Sequence, residues 1–154
     1  MKYLAGFAML ALMACQPGGE SVSTGGGAAP ATAVPAGAFV AMLNAARTAQ
    51  GRGAVTEDSR LTRAAQAHAQ DMATGGFFSH RSPNGATFTD RARAAGYGCV
   101  AAENIAAGQR SEAEVMAEWM ASAGHRRNIL LPAATEFGLG RSGTYWVLML
   151  GRGC

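Results

Sequence analysis

The chain has 154 residues, with 13 lysines and arginines against 10 aspartates and glutamates and a net charge of +3. Its only lysine is Lys2, so the rest of the chain carries 12 arginines and a net charge of +2. So small an excess argues against nucleic acid as a partner. The sequence also lacks HExxH, GxSxG, CxxC and Gly-rich phosphate-loop motifs. The strongest signals for zinc proteases, serine hydrolases and nucleotide-binding proteins are therefore missing.

The start of the chain has the layout of a bacterial export signal. Lys2 precedes an apolar run from Leu4 to Met13, which is too short to span a membrane as a helix. The stretch LMAC resembles a lipoprotein cleavage site, so we expect residues 1–14 to be removed and Cys15 to be lipidated. An ordinary signal peptide cleaved after Cys15 is the alternative. The lipid would hold the mature protein to the cell envelope, on the periplasmic face or at the cell surface.

Residues 15–36 are rich in Gly, Ala, Pro, Ser and Thr and nearly free of bulky apolar side chains. Such a segment buries too little surface to offset the entropy of ordering it, which predicts a flexible tether. The remaining residues, 37–154, are numerous enough for one domain with a single hydrophobic core.

Two helices are predicted in the first half of this domain. The stretch AFVAMLNAARTAQG has Phe39, Leu43 and Ala46 on one helical stripe and a glycine that ends the helix. The stretch EDSRLTRAAQAHAQDMATGG begins a helix at Asp58 or Ser59 and ends it at Gly75. His68 lies on the apolar stripe of this second helix, which favours a buried core histidine over a ligand.

The second half begins with a loop and ends in strands. SPNG predicts a type I turn, and Thr89 is expected to cap a short helix after it. Ser111 opens a helix that Gly124 ends, and HRRNILL continues for another turn or two. TEFGLGRSG and TYWVLMLG then read as two strands joined by a tight turn, the second buried on both faces. Helices followed by strands predict an α+β fold with a small central antiparallel sheet.

Two cysteines remain once Cys15 is assigned to the lipid. In an oxidising compartment Cys99 and Cys154 are expected to form a disulfide. Closing that loop would contribute about 4 kcal/mol in the chain-entropy model. Two free thiols are the alternative.

Two histidines and one glutamate are the candidates for chemistry. His80 lies on a loop after two phenylalanines, and His125 lies at the start of a helical turn. Glu103 interrupts an apolar strand, where a carboxylate costs free energy unless it is paired or ligates something. Two histidines and a glutamate form a recognised zinc ligand set with an open fourth position. Alternatively, Glu103 hydrogen-bonds a nearby helix end and the histidines only line a groove.

Five stretches follow one another in an order that resembles one protein family. They are FFSHRSPNG, AENIAAG, EVMAEWMASAGHRRNIL, TEFGLG and YWVLMLG, with LTRAAQAHAQDMA upstream. Together they are similar to the CAP superfamily of cysteine-rich secretory, antigen-five and plant pathogenesis-related proteins, in its bacterial SCP-like branch. The resemblance covers nearly all of residues 39–154 and implies a three-layer α–β–α sandwich.

The resemblance also implies a central cleft in which His80 and His125 face each other beside Glu103. Eukaryotic members have a second glutamate where this chain has Ser122, so the acidic site lacks one carboxylate. Zinc is the implied metal, held by His80, Glu103, His125 and a water, with lower affinity than in a four-residue site. No other cofactor is implied.

Family members are mostly binding or signalling modules, and this chain has no complete catalytic signature. We therefore expect an envelope-facing binding module whose cleft takes a divalent metal or a lipid, glycan or protein ligand. A metal- or histidine-assisted hydrolase of peptides or envelope polymers is one alternative. A purely structural polar cluster that cross-braces the sandwich is the other.

Overall fold

The computed structural model describes residues 37–154. The expected export signal of residues 1–14, the lipid on Cys15 and the tether of residues 15–36 lie outside the described residues. Within residues 37–154, no helix is both long enough and apolar enough to cross a membrane.

Five helices and four strands follow one another within the described residues. Their bounds, in chain order, are α1 (Ala38–Thr48), β1 (Thr56–Glu57), α2 (Ser59–Gly75), α3 (Phe88–Ala94), β2 (Val100–Ala107), α4 (Glu112–Ala121), α5 (Ala123–Ile129), β3 (Glu136–Ser142) and β4 (Tyr145–Gly151).

The strands form one sheet in the order β1-β3-β4-β2, so β2 is an edge strand. β4 pairs antiparallel with β3 and with β2, while β1 pairs parallel with β3. The antiparallel prediction is therefore confirmed for the three longer strands. The parallel β1 was not predicted, because two residues are too few to show a period.

Alternate residues of β4 face opposite layers of the molecule. Trp146 and Leu148 pack in a core cluster with residues of α1, α4 and α5, whereas Val147 and Met149 pack with residues of α2 and α3. The predicted α–β–α sandwich is confirmed. β4 lies at its centre, and its continuous apolar run is buried from Trp146 onwards, as predicted.

The ends of α2 follow ordinary capping rules. The Asp58 side chain accepts hydrogen bonds from the backbone N–H groups of Arg60 and Leu61, which makes it the N-cap. At the other end Gly75 is the last helical residue, and Gly76 caps the helix with a φ of 64°. The helix thus ends one residue later than predicted, because Gly76 adopts the left-handed conformation.

Two predicted boundaries in the second half are wrong. α3 is capped by Thr87 rather than Thr89, because Thr87 and Asp90 form a reciprocal capping box. Gly124 does not end α4 but lies inside α5. Ser122 separates these two helices, since its backbone is extended with φ −84° and ψ 122°.

The predicted disulfide is confirmed. Cys99 and Cys154 are bonded to each other across a sequence separation of 55 residues. The bond fastens the last residue of the chain next to the start of β2.

Candidate ligand cleft

The polar cluster is built on Glu103, in the edge strand β2. Its side chain faces the α2 and α3 layer, because Ile105, two residues along the strand, packs in that layer's cluster. The side chain is only 1% exposed. Oε1 accepts a hydrogen bond from Nδ1 of His80 at 2.8 Å, and Oε2 accepts one from Nη2 of Arg91 at 2.7 Å. The buried charge is thus compensated by partners.

Arg91 of α3 is a site residue that the sequence patterns missed. Its side chain is 9% exposed, and Nη2 also donates to the carbonyl oxygen of His80 at 2.9 Å. Nη1 donates to Oγ of Ser82 at 3.2 Å and to the carbonyl oxygen of Ala86 at 3.1 Å. Arg91 therefore fastens the loop before α3 to the edge of the sheet.

His80 is carried by that loop. The predicted turn is present after it, with the backbone N–H of Gly85 donating to the carbonyl oxygen of Ser82 at 2.8 Å. The side chain of His80 is 55% exposed. Because a carboxylate only accepts hydrogen bonds, Nδ1 of His80 carries the proton in its contact with Glu103. When the ring is uncharged, its Nε2 is left with a lone pair.

Two asparagines close the edge of β2 from the side of α5. Nδ2 of Asn128 donates to the backbone carbonyl of Glu103 at 3.2 Å and to Oδ1 of Asn104 at 2.9 Å. Nδ2 of Asn104 in turn donates to the carbonyl oxygen of His125 at 3.1 Å. An edge strand leaves backbone groups without strand partners, and Asn128 satisfies one of them here.

His125 and Ser122 come from the opposite layer. His125 is half-buried, and within residues 37–154 its Nδ1 has no hydrogen-bond partner. Burial lowers the pKa of His125, and repulsion from His80 lowers it further. Ser122 makes no capping hydrogen bond with its side chain and brings no charge to the cluster.

An open cleft of about 320 Å³ lies beside the cluster. Its wall consists of His80, Phe88, Ala101, Ala102, Glu103 and Asn128. Of the predicted cleft residues, His80 and Glu103 belong to this wall, whereas His125 and Ser122 do not. The apolar wall residues and Asn128 went unpredicted, since nothing in their local sequence distinguishes them from packing residues. A cleft of this size suits one small group of a ligand.

The predicted zinc ligands do not fit a three-ligand site in this arrangement. Within residues 37–154, no group of three or more histidine, cysteine, aspartate or glutamate side chains is arranged to hold a metal ion. Both oxygens of Glu103 already have partners, in His80 and in the cation of Arg91. Two imidazoles remain, one ligand fewer than catalytic zinc sites usually have.

The third histidine belongs to the core, as its position on the stripe of α2 predicted. His68 is fully buried, and its Nε2–H donates to the carbonyl oxygen of Ser79 at 2.9 Å. The bond ties α2 to the loop that carries His80.

The sequence of the chain matches a known protein family. The model of the "CAP: Cysteine-rich secretory protein family" matches residues 40–148. The "Uncharacterized protein YkwD" of Bacillus subtilis (strain 168) is 40% identical over 110 residues, which are 70% of this chain and 43% of that protein.

Solved structures agree with this assignment. An extracellular protein containing an SCP domain from Bacillus anthracis has a TM-score of 0.72 and 29% identity, over 74% of this chain and 39% of that one. An outer surface protein from Borrelia burgdorferi, with a TM-score of 0.68 and 17% identity over 75% of this chain and 90% of that one, shares the fold. This chain spans less than half the length of both Bacillus proteins. The chain belongs to the cysteine-rich secretory protein (CAP) family.

Proposed function

We propose that residues 37–154 act as a binding module outside the cytoplasm, with the ligand held in the cleft beside β2. The observation that carries the proposal is the fixed imidazole of His80, which is exposed yet aimed by the buried Glu103. The apolar side chain of Phe88 lies in the same wall. A pre-formed polar group beside an apolar surface is the usual composition of a small-ligand site.

The surroundings of His80 and His125 favour holding a ligand over cleaving one. Within residues 37–154, no serine, threonine or cysteine side chain hydrogen-bonds to the ring of His80 or His125. The two cysteines of this region are joined to each other. Covalent hydrolysis needs a nucleophile within reach of its base, and these histidines have no such partner.

The proposed location is the cell envelope. The Bacillus anthracis structure is described as extracellular, and the Borrelia burgdorferi one as an outer surface protein. A lipid on Cys15 would attach this chain to the membrane, and the cleft would then meet a lipid, glycan or protein of the envelope and not nucleic acid. Replacing Cys15 by serine should move the protein from the membrane fraction to the soluble fraction. Unchanged fractionation would contradict the anchor.

Mass spectrometry of the full-length protein, extracted in detergent from its native host, tests the binding function. We expect a lipid, glycan fragment or peptide to co-purify with the wild type and with Phe78→Ala, and to be lost from His80→Ala and Phe88→Ala. Phe78 is 54% exposed and lies outside the cleft wall, so it is the matched control for Phe88. A ligand kept by all four proteins, or found with none, would contradict the proposal.

A hydrolase is the second candidate, and the contact of His80 with Glu103 is the observation that favours it. A carboxylate on Nδ1 orients an imidazole whose Nε2 is free to take a proton from water. Purified wild-type protein should then degrade casein or peptidoglycan, and Glu103→Gln should lose that activity while Glu57→Gln keeps it. Activity that both variants retain would come from a contaminant or another site.

A further inference from the structure

We infer that Arg91 excludes divalent metal ions from Glu103, because its guanidinium is a built-in cation bound to that carboxylate. The inference rests on the proposed function only in using the same cleft. It concerns a residue that the sequence patterns did not single out.

The position of Arg91 is fixed on several sides at once. Its two terminal nitrogens donate to four acceptors within 3.2 Å, which belong to His80, Ser82, Ala86 and Glu103. The side chain is 9% exposed, so little room is left for it to turn towards solvent. Moving the guanidinium away from Glu103 would break these hydrogen bonds and leave the buried Oε2 of Glu103 without its donor.

The charges of the cluster are already balanced by this arrangement. Glu103 contributes one negative charge and Arg91 one permanent positive charge, since an arginine side chain stays protonated in proteins. A divalent ion is attracted to a carboxylate by its negative charge, and a neighbouring cation that already compensates this charge weakens the attraction. Here one oxygen of Glu103 accepts from His80 and the other accepts from Arg91.

A divalent ion would therefore have to displace the guanidinium or lie next to it. The first alternative costs the four hydrogen bonds of Arg91. The second places a double positive charge beside a single one in a region that water barely reaches, where repulsion is stronger than in bulk solvent. In the second case the imidazoles of His80 and His125 would be the only favourable protein ligands, and such a pair binds zinc weakly.

Zinc titration of the full-length protein by calorimetry tests the inference, with Arg91→Gln as the key variant. Removing the cation frees the carboxylate of Glu103, so we expect zinc affinity to rise at least about tenfold. Arg91→Lys keeps the charge and should stay close to the wild type. Arg93→Gln, on the exposed side of the same helix, is the matched control and should also show no gain.

A melting-temperature series gives a second readout. Zinc should raise the melting temperature of Arg91→Gln more than that of the wild type, because a ligand that binds only the folded state stabilises it. An Arg91→Gln protein that folds yet binds zinc no more tightly than the wild type would overturn the inference.

If Arg91→Gln does not fold, zinc binding by the wild type tests the inference instead. Glu103 makes no metal contact in our inference, so the wild type should bind zinc only weakly. Tight one-to-one zinc binding that Glu103→Gln abolishes would overturn it. Neither result depends on whether an organic ligand co-purifies, so a failure here is distinct from a failure of the proposed binding function.

Discussion

Nη2 of Arg91 lies 2.7 Å from Oε2 of Glu103, and the two side chains are 9% and 1% exposed. This ion pair joins α3 to the edge strand of the sheet. Nη2 of the same guanidinium also donates to the backbone carbonyl of His80, whose ring contacts the other carboxylate oxygen. The stability of the pair and the direction of the imidazole are therefore coupled.

Glu103→Gln removes the negative charge and leaves Arg91 buried without its counter-charge. We expect the free energy of unfolding to fall by about 3 kcal/mol, since removing one partner of a buried pair leaves the other charge uncompensated. Urea unfolding near neutral pH measures the change. Glu57→Gln, at an exposed position in β1, should change it by less than about 0.5 kcal/mol. Equal losses of unfolding free energy in the two variants would show that the buried ion pair stabilises the fold no more than an exposed glutamate does.

A second buried arginine stabilises the layer of α1, α4 and α5. Arg47 is fully buried in α1, and its guanidinium donates to four backbone carbonyls at 2.6 to 3.2 Å. The acceptors belong to Gly53, Ile129, Leu131 and Ala134. Three of these lie in or just after α5, so Arg47 holds the end of that helix against α1.

Replacing Arg47 by methionine keeps most of the volume and removes the donors. We expect the free energy of unfolding to fall by about 3 kcal/mol or more, because several buried carbonyls lose charge-assisted hydrogen bonds. Arg127→Met, at an exposed position in α5, should be nearly neutral. Chemical denaturation of both variants measures the change in the free energy of unfolding. A loss below about 1 kcal/mol for Arg47→Met would mean that water replaces the lost donors.

The pH dependence of stability should report on His68. Burial lowers the pKa of His68 below its ordinary value of 6.5, and the positive charge of Arg91 lowers it further. Below about pH 6.5 the unfolded chain therefore binds a proton that the folded protein does not, so the free energy of unfolding falls as the pH falls. Above that pH both states are neutral at His68, and the residue adds no slope.

Urea unfolding at a series of pH values measures this slope. His68→Gln removes the titrating ring and should flatten the curve between about pH 6.5 and 5. His125→Gln should flatten it as well, because burial also lowers the pKa of His125. A His68→Gln curve parallel to that of the wild type would show that His68 is protonated to the same extent in both states.

The sandwich could be predicted from sequence because its main elements carry long patterns. The apolar stripe of α2 placed His68 in the core, and the continuous apolar run of β4 placed that strand at the centre of the sheet. β1 consists of two exposed residues and exists because of its pairing with β3. Only the tertiary structure creates such an element, so no local pattern could reveal it.

The cleft could be predicted only in part, for a similar reason. Glu103 and His80 stand out locally, one as a charge in an apolar strand and the other as a loop histidine beside aromatic residues. Arg91 does not, because a helix of seven residues is too short for its spacing to show which side faces inwards. The family resemblance predicted that His125 lies in the cleft. The layer in which His125 lies depends on how α5 packs against β2, which the sequence does not show.

Two glycines of β3 determine how closely α2 can approach the sheet. A Cβ atom at Gly138 would lie 2.2 Å from the carbonyl carbon of Leu61, and one at Gly140 would lie 2.3 Å from that of Ala65. The obstructing atoms belong to the backbone of α2, so no side-chain rotation can relieve the contact. Gly124 of α5 is different, because a Cβ atom there would meet nothing within 4 Å.

Gly140→Ala should therefore push α2 away from the sheet and reduce the free energy of unfolding by about 3 kcal/mol, or prevent folding. Gly124→Ala should do the opposite and raise it by up to about 1 kcal/mol, because alanine favours the helical conformation and restricts the unfolded chain. Thermal unfolding followed by circular dichroism separates the two outcomes. Destabilisation by Gly124→Ala would mean that α5 needs a flexible residue before His125. A Gly140→Ala protein as stable as the wild type would mean that α2 can shift away from β3 at little cost.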